Sequence, residues 1–242
     1  MATVPQRVAV DRVPDLRAVQ ARHRFSPTEL VKQLGRRFSV ALGIDLDSQR
    51  PAETFKWFLA SVLLGARISS TVAERTYRSF ESERLVTPQA ILKAGWQQLV
   101  DVLDRGGYAR YDEKTATKLL GICRAIIDRY GGDLHAIERA AQDPADLEQR
   151  ILELGSGIGP VTANIFLREL RGLWPKAEPK PSELVVRAAR DLGFVPARAK
   201  DPERVLESLR AVWAADGGSA RDFPDFEAAL VRYGIALRRR QP

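Results

Sequence analysis

The stretch GSGIGPVTANIF, residues 155–166, places three glycines at alternate positions directly before an apolar helical pattern. Gly155, Gly157 and Gly159 predict a tight turn, because glycine tolerates backbone conformations that other residues avoid. Pro160 follows at the first position of the next helix, where proline is favoured. A bare backbone can approach a phosphate closely, and the helix dipole directs the unpaired N–H groups of a helix start at an anion. The stretch therefore predicts phosphate binding; the alternative is a plain connection between two helices with glycine caps.

Other reactive side chains are few and isolated in the sequence. Cys123 is the only cysteine, which excludes an internal disulfide, a cysteine zinc site and a four-cysteine iron-sulfur cluster. His23 and His135 stand apart from each other and from any group of carboxylates. We therefore predict neither a metal site nor a nucleophilic triad.

The elements around these residues are predicted to be helices. Strand signals are nearly absent and apolar residues recur at spacings of three and four, which indicates an all-α protein. Ser26 and Thr87 each precede a proline and are predicted helix caps. The three tryptophans Trp57, Trp96 and Trp213 fall on apolar helix faces and are predicted in the core. The predicted helices cover residues 14–23, 26–42, 52–64, 69–80, 87–94, 96–104, 111–130, 133–142, 143–154, 182–194, 201–216 and 222–240.

Composition and charge limit the class of protein. The chain has 242 residues with 45% hydrophobic content, enough for one large or two small domains. Lysine and arginine outnumber aspartate and glutamate by 38 to 31, and the net charge of +7 favours a polyanionic partner. The longest mostly apolar stretch, WFLASVLLGA, is about half of what a membrane span requires. Together with the single cysteine, this predicts a cytoplasmic protein.

Four segments resemble the helix-hairpin-helix DNA glycosylase superfamily, which contains endonuclease III and the adenine glycosylases. FLASVLLGARISSTVAERTYRSF is similar to the family's early buried helix and the loop after it, and RGGYARYDEKTATKLLGICRAIIDRYGGDL to its glycine and lysine-alanine helix. GSGIGPVTANIFL resembles the family hairpin PGVGxKTAxxxL, and PSELVVRAARDLG resembles its VDTHVxRVxxRLG segment. The segments follow the family order over more than half of the chain.

The resemblance implies an all-α fold of two helical lobes, with a DNA-binding cleft between them and a helix-hairpin-helix motif. One lobe would be residues 51–180, ending in the hairpin, and the other residues 1–50 with 181–242. The stretch RGLWPKAEPKPSEL contains three prolines and is the predicted joint. Trp174 in this joint is a candidate to line the cleft.

The resemblance also locates the positions where relatives carry catalytic groups. The family aspartate, which promotes loss of the base, aligns with Ser182, and the lysine of strand-cutting members aligns with Val161. Family-type lyase chemistry is therefore not expected. Glu183 is the nearest replacement carboxylate, and its alternative role is a glutamate favoured by the helix dipole. Lys176 and Lys180 in the joint are lysines that a divergent enzyme could use, or solvated linker charges.

The DNA-binding residues implied by the resemblance begin with the hairpin itself. Arg67 aligns with a glutamine that fills the gap left by a flipped nucleotide in endonuclease III relatives; the alternative is an exposed arginine at a helix end. The full set of predicted DNA-binding residues is Gly155, Gly157, Gly159, Pro160, Thr162, Arg67, Lys114 and Arg187.

These features lead to a prediction of function. We expect a monomeric, nucleoid-associated protein that binds damaged or distorted double-stranded DNA, with divergent or lost base-removal activity. If active, it would hydrolyse N-glycosidic bonds as a monofunctional glycosylase. No iron-sulfur cluster or other cofactor is expected, although hairpins of this kind can hold a monovalent cation. The alternatives are a DNA-structure binder without catalysis and a helical module for protein interaction.

Overall fold

The computed structural model describes residues 25–66 and 68–239, and these residues form helices without any strand longer than an isolated bridge. The all-α prediction is confirmed. In chain order the helices are α1 Pro27–Leu34, α2 Phe38–Leu42, α3 Pro51–Leu64, α4 Ser70–Ser82, α5 Pro88–Gly106, α6 Asp112–Tyr130, α7 His135–Ala140, α8 Pro144–Leu152, α9 Pro160–Leu170, α10 Glu183–Asp191, α11 Pro202–Ala215 and α12 Phe223–Arg239. A short 3₁₀ turn, Leu46–Ser48, precedes α3.

Two compact units divide the chain. We call Ile44–Pro179 the central unit, which contains α3 to α9, and we call residues 25–43 with 180–239 the terminal unit. The boundary between Pro179 and Lys180 lies inside the proline-rich stretch.

Helix α3 forms the core of the central unit and is buried over most of its length. Its Trp57 is fully buried and donates its indole N–H to the carbonyl of Phe166 on α9, at 3.1 Å. Phe58 packs edge-on against the Phe166 ring, and Trp174 makes a second edge-on contact with the same ring. Trp174 is thus a core residue, 3% exposed, rather than a cleft residue. These contacts hold the helix that follows the glycine turn against the centre of the unit.

Two expectations about local structure were wrong. The predicted continuous helix over 26–42 is broken at Gly35, whose positive φ of 90° ends α1. Trp96 is 40% exposed and donates its indole N–H to the Thr117 hydroxyl instead of entering the core. Trp57 and Trp213 are buried as predicted, and the Ser26 and Thr87 caps are both present.

Candidate nucleic-acid interface

The connection between α8 and α9, residues 153–159, is the glycine turn and is called the hairpin below. The Ile158 N–H donates to the Gly155 carbonyl at 3.3 Å, which closes the turn. Gly157 has a φ of +106°, a conformation that side-chain-bearing residues rarely adopt. Ile158 is buried and anchors the turn, so the glycines are held at the surface by an apolar side chain between them.

The start of α9 has no side-chain cap. Gly159 is the N-cap residue, in extended conformation, and Pro160 follows at the first helical position as predicted. The Ala163 N–H donates to the Gly159 carbonyl and makes the first hydrogen bond of the helix. The N–H groups of Val161 and Thr162 come before it and therefore have no acceptor within the helix. A β-carbon added at Gly159 would meet no atom within 4 Å. The helix start is therefore sterically open to an anion at Gly159.

Helix α6 packs against the hairpin. A β-carbon on Gly155 would lie 2.9 Å from Cγ1 of Ile122, and one on Gly157 would lie 2.6 Å from Cδ of Lys118. Arg129 donates to the Glu153 carbonyl at 3.1 Å. The glycines thus allow the hairpin to lie directly on α6, in addition to any role toward a ligand.

The side chains at the start of α9 face in opposite directions. Thr162 is 3% exposed, and its hydroxyl would lie 2.1 Å from a β-carbon on Gly65, the C-cap residue of α3. Its backbone N–H, rather than its side chain, is thus the group that the helix start presents. Val161 is 63% exposed, the most exposed of the large hydrophobic residues in the described part of the chain. The position aligned with the family lysine therefore carries an exposed hydrocarbon side chain without an amine.

A surface groove of about 390 Å³ runs between the C-terminal end of α3, the α5–α6 connection, α6 and the hairpin. Its lining includes Tyr108, Tyr111, Lys114, Thr115, Lys118 and Gly157, and no carboxylate is among the described residues that line it. We call it the tyrosine–lysine groove. All of its lining residues belong to the central unit.

Lys114 and Lys118 supply the positive charge of this groove. They are one turn apart on α6, so both project from the same face of the helix. Both are exposed, and neither forms an ion pair or hydrogen bond with another described residue. Lys114 was predicted from the resemblance, whereas Lys118 was not, although its spacing of four from Lys114 places it on the same face.

Two tyrosines line the groove, Tyr108 and Tyr111, and only Tyr111 has a partly exposed side chain. Tyr108 is 3% exposed, and burial raises the pKa of its hydroxyl, with a hydrogen bond to Thr115 opposing that shift. Tyr111 is half-buried, and the guanidinium of Arg110 lies over its ring, 5.7 Å from the centroid. Tyr111 is the N-cap residue of α6 but makes no side-chain capping bond. The Tyr111 side chain therefore takes no part in capping α6.

The predicted catalytic positions Ser182 and Glu183 lie in the terminal unit. The Ser182 hydroxyl accepts a hydrogen bond from the Val185 N–H at 3.4 Å, so it caps α10. Glu183 is an exposed residue of the first turn, without an ion-pair partner among the described residues. Arg187 is half-buried on the same helix. Arg67 lies outside the described residues.

The charged residues of the proline-rich stretch have partners. Lys176 donates to the Glu138 carbonyl at 2.8 Å, and Lys180 lies 3.4 Å from the carboxylate of Glu203. Glu178 pairs with the buried guanidinium of Arg171. Neither lysine is therefore placed as an unpaired nucleophile.

The remaining reactive groups are buried or isolated. Cys123 is 1% exposed, and burial raises the pKa of its thiol to about 12, so it stays protonated at neutral pH. His135 contacts the Thr54 hydroxyl at 2.9 Å and the Trp174 ring. Among residues 25–66 and 68–239, no three His, Cys, Asp or Glu side chains are grouped closely enough to hold a metal ion.

Comparison with models of known protein families finds no match to this chain, and comparison with curated proteins finds no similar sequence. The superfamily resemblance thus depends on the four sequence segments alone. None of the described helices has the length and apolar character needed to cross a membrane.

Proposed function

We propose that this chain binds double-stranded DNA through the hairpin, with a phosphate seated at the start of α9. The observation that carries the proposal is the uncapped helix start beside Gly159, where a β-carbon would meet no atom within 4 Å. Backbone N–H groups and the helix dipole attract an anion at such a place. The unpaired Lys118 beside Gly157 adds a positive charge next to it.

The exposed Val161 fits the same proposal. Its hydrocarbon side chain stands next to the helix start and would contact the sugar of the bound strand rather than a phosphate. Because valine has no amine, we propose no lyase step that proceeds through a Schiff base. The exclusion of this step is compatible with either a hydrolytic glycosylase or a binder without catalysis.

The class of DNA follows from the superfamily resemblance. We propose that the protein prefers damaged or distorted duplexes of the nucleoid. It would act on them in the cytoplasm, as a monomer, in base-excision repair. No cofactor beyond a monovalent cation at the hairpin would take part. The resemblance further leads us to propose two lobes, residues 51–180 and residues 1–50 with 181–242, facing the DNA. Arg187 and Arg67 would then add phosphate or base contacts.

Two substitutions at Gly159 test the phosphate site. Aspartate and asparagine both cap helices well, and the open space at Gly159 accommodates either, so both variants should fold like the wild type. Only aspartate adds a negative charge where the phosphate is expected. We therefore expect Gly159→Asp to lower duplex affinity by roughly tenfold or more, from the loss of a charge-assisted contact, and Gly159→Asn to lower it less. Equal affinity of Gly159→Asp and the wild type at low salt would exclude this site.

A second experiment determines whether the protein is an enzyme. Base release is measured in single turnover on duplexes that contain uracil, oxidised, alkylated or mismatched bases. Release that Glu183→Gln abolishes would identify Glu183 as the carboxylate that replaces the missing aspartate at Ser182. Salt-sensitive binding without release from any duplex would identify a binder. Activity gained in Ser182→Asp would show that only the charge of the family aspartate has been lost.

A further inference from the structure

The tyrosine–lysine groove combines features that plain backbone binding does not need. A protein that only neutralises phosphates requires positive charge on its surface, whereas this groove also offers the half-buried ring of Tyr111 in a concave space of about 390 Å³. That volume falls within the roughly 300–1,000 Å³ typical of small-molecule sites. The groove therefore suits a ligand that has an aromatic part and an anionic part.

A nucleotide has both parts. Its base can stack on a tyrosine regardless of sequence, because every nucleobase has a π face. Its phosphate is attracted by Lys114 and Lys118, whose ammonium groups have no partner among the described residues. The absence of a carboxylate from the described lining leaves this attraction unopposed inside the groove.

The hairpin forms one wall of the groove, which relates the two sites. Gly157 lines the groove and lies against Lys118, while Gly159 is two residues further along the same hairpin. A phosphate at the start of α9 would thus lie two residues along the chain from a residue that lines the groove. We propose that the tyrosine–lysine groove holds an unpaired nucleotide of the DNA strand bound by the hairpin, with the base on Tyr111 and its phosphate at Lys118.

This inference rests on the proposed DNA binding and adds a second subsite to it. The groove contains neither Ser182 nor Glu183, which belong to the terminal unit. It is thus a site that holds a nucleotide, separate from the positions at which the resemblance implies base removal.

Three duplexes of equal length test the proposal. One is fully paired, one contains a single unpaired adenine nucleotide, and one contains an unpaired abasic nucleotide at the same place. Both bulges kink the DNA, but only the first offers a base. We expect the wild type to bind the adenine bulge about tenfold more tightly than the abasic bulge, the size of one base–aromatic stacking contact. Equal affinity for the two bulges would overturn the proposal without any variant being needed.

Variants then locate the contact. Tyr111→Ala should bind the two bulges equally, whereas Tyr111→Phe, which keeps the ring, should retain the preference. Tyr111→Ala removes part of a half-buried side chain, so thermal melting is used to show that both variants are folded at the temperature of the binding assay. A full preference retained in a folded Tyr111→Ala would show that the base does not occupy the groove.

Lysine variants test the anionic part. Lys118→Gln should weaken binding most for the two bulged duplexes and reduce their salt dependence by about 0.9 in slope, the value for one phosphate contact. The matched control is Lys93→Gln on α5, an exposed lysine of the same unit that does not line the groove. Equal salt slopes for these two variants would contradict the role of Lys118.

Failure of the subsite and failure of DNA binding give different results. If the hairpin does not bind DNA, all three duplexes bind weakly and Gly159→Asp changes nothing. If only the groove proposal is wrong, the paired duplex still binds with a steep salt slope that Gly159→Asp weakens, and the two bulges are bound alike.

Discussion

Gly157 of the hairpin lies against the side chain of Lys118 on α6, so closely that a β-carbon on Gly157 would stand 2.6 Å from Lys118 Cδ. The glycine is required there for two separate reasons, its positive φ of +106° and this contact. The flexible Lys118 side chain can move away from an added β-carbon, but the strain of a side-chain-bearing residue at positive φ remains. The two reasons can therefore be separated by mutation.

We expect Gly157→Ala to lower the free energy of unfolding by about 1–3 kcal/mol, mainly because alanine is strained at positive φ. The double variant Gly157→Ala/Lys118→Ala removes the close contact but keeps the strain, so it should regain little stability. Urea denaturation measures both values. Full recovery in the double variant would show that the contact with Lys118, rather than backbone strain, dominates the cost.

At Gly65, by contrast, we expect a loss of stability that is caused by a close contact with Thr162 and not by backbone strain. Gly65 has an ordinary φ of −75°, so alanine is not strained there, but its β-carbon would come 2.1 Å from the Thr162 hydroxyl. We expect Gly65→Ala to lower stability by about 1–3 kcal/mol through overpacking between α3 and α9. Adding Thr162→Ala should recover part of this loss, because the hydroxyl is removed while the Thr162 β-carbon remains 3.1 Å away. Losses that simply add in a double-mutant cycle would exclude this explanation.

Features with local causes could be predicted from the sequence. The Ser26 cap depends on residues within one turn: the Ser26 hydroxyl accepts the Glu29 N–H, and the Glu29 carboxylate accepts the Ser26 N–H. The glycine turn followed by Pro160 was likewise visible, because glycine and proline impose their conformations on their own backbone. The helix periodicity that predicted the all-α class is local in the same sense.

Features with distant causes were missed. Arg37, the N-cap residue of α2 after the break at Gly35, donates its backbone N–H to the Asp225 carboxylate, 188 residues away in sequence. Trp96 was placed on an apolar face by counting along the helix predicted over 96–104, but its indole N–H donates to the hydroxyl of Thr117, 21 residues away on α6. The contact of Lys118 with Gly157 joins residues 39 positions apart, which no local pattern reveals.

The buried Asp225 provides a third prediction, for the terminal unit. Its side chain is 4% exposed and accepts bonds from the Arg37 backbone N–H at 2.9 Å and from Arg36 Nε at 2.7 Å. We expect Asp225→Asn to lower stability by about 3–5 kcal/mol, because the ion pair between the buried Arg37 guanidinium and the Asp225 carboxylate is lost. Arg36→Gln should cost about 1 kcal/mol or less, since the Arg36 side chain is 52% exposed. Similar losses in urea denaturation of the two variants would contradict this difference.

The half-buried His135 predicts a pH dependence of stability in the central unit. Burial lowers its pKa from the ordinary 6.5, and the nearby Arg139 acts in the same direction, while Asp133 and Glu138 oppose the shift. Below pH 6.5 the unfolded chain binds a proton at this residue more readily than the folded chain does. The free energy of unfolding attributable to His135 should thus be fully present above pH 6.5 and fall as the pH drops toward the lowered pKa.

We expect His135→Gln to flatten this dependence, because glutamine does not titrate but can still bond to the Thr54 hydroxyl. Urea denaturation at pH values from about 5 to about 8 measures the slope, since histidine changes charge in that range. The sequence contains one other histidine, His23, and His23→Gln is the matched control. A slope between about pH 5 and about pH 8 that His135→Gln leaves unchanged would exclude His135 as its source. Carboxylates such as Glu53, whose pKa is lowered by Lys56, Arg50 and the Asp45 N–H against the effect of burial, lose their stabilising contribution only at about pH 5 and below.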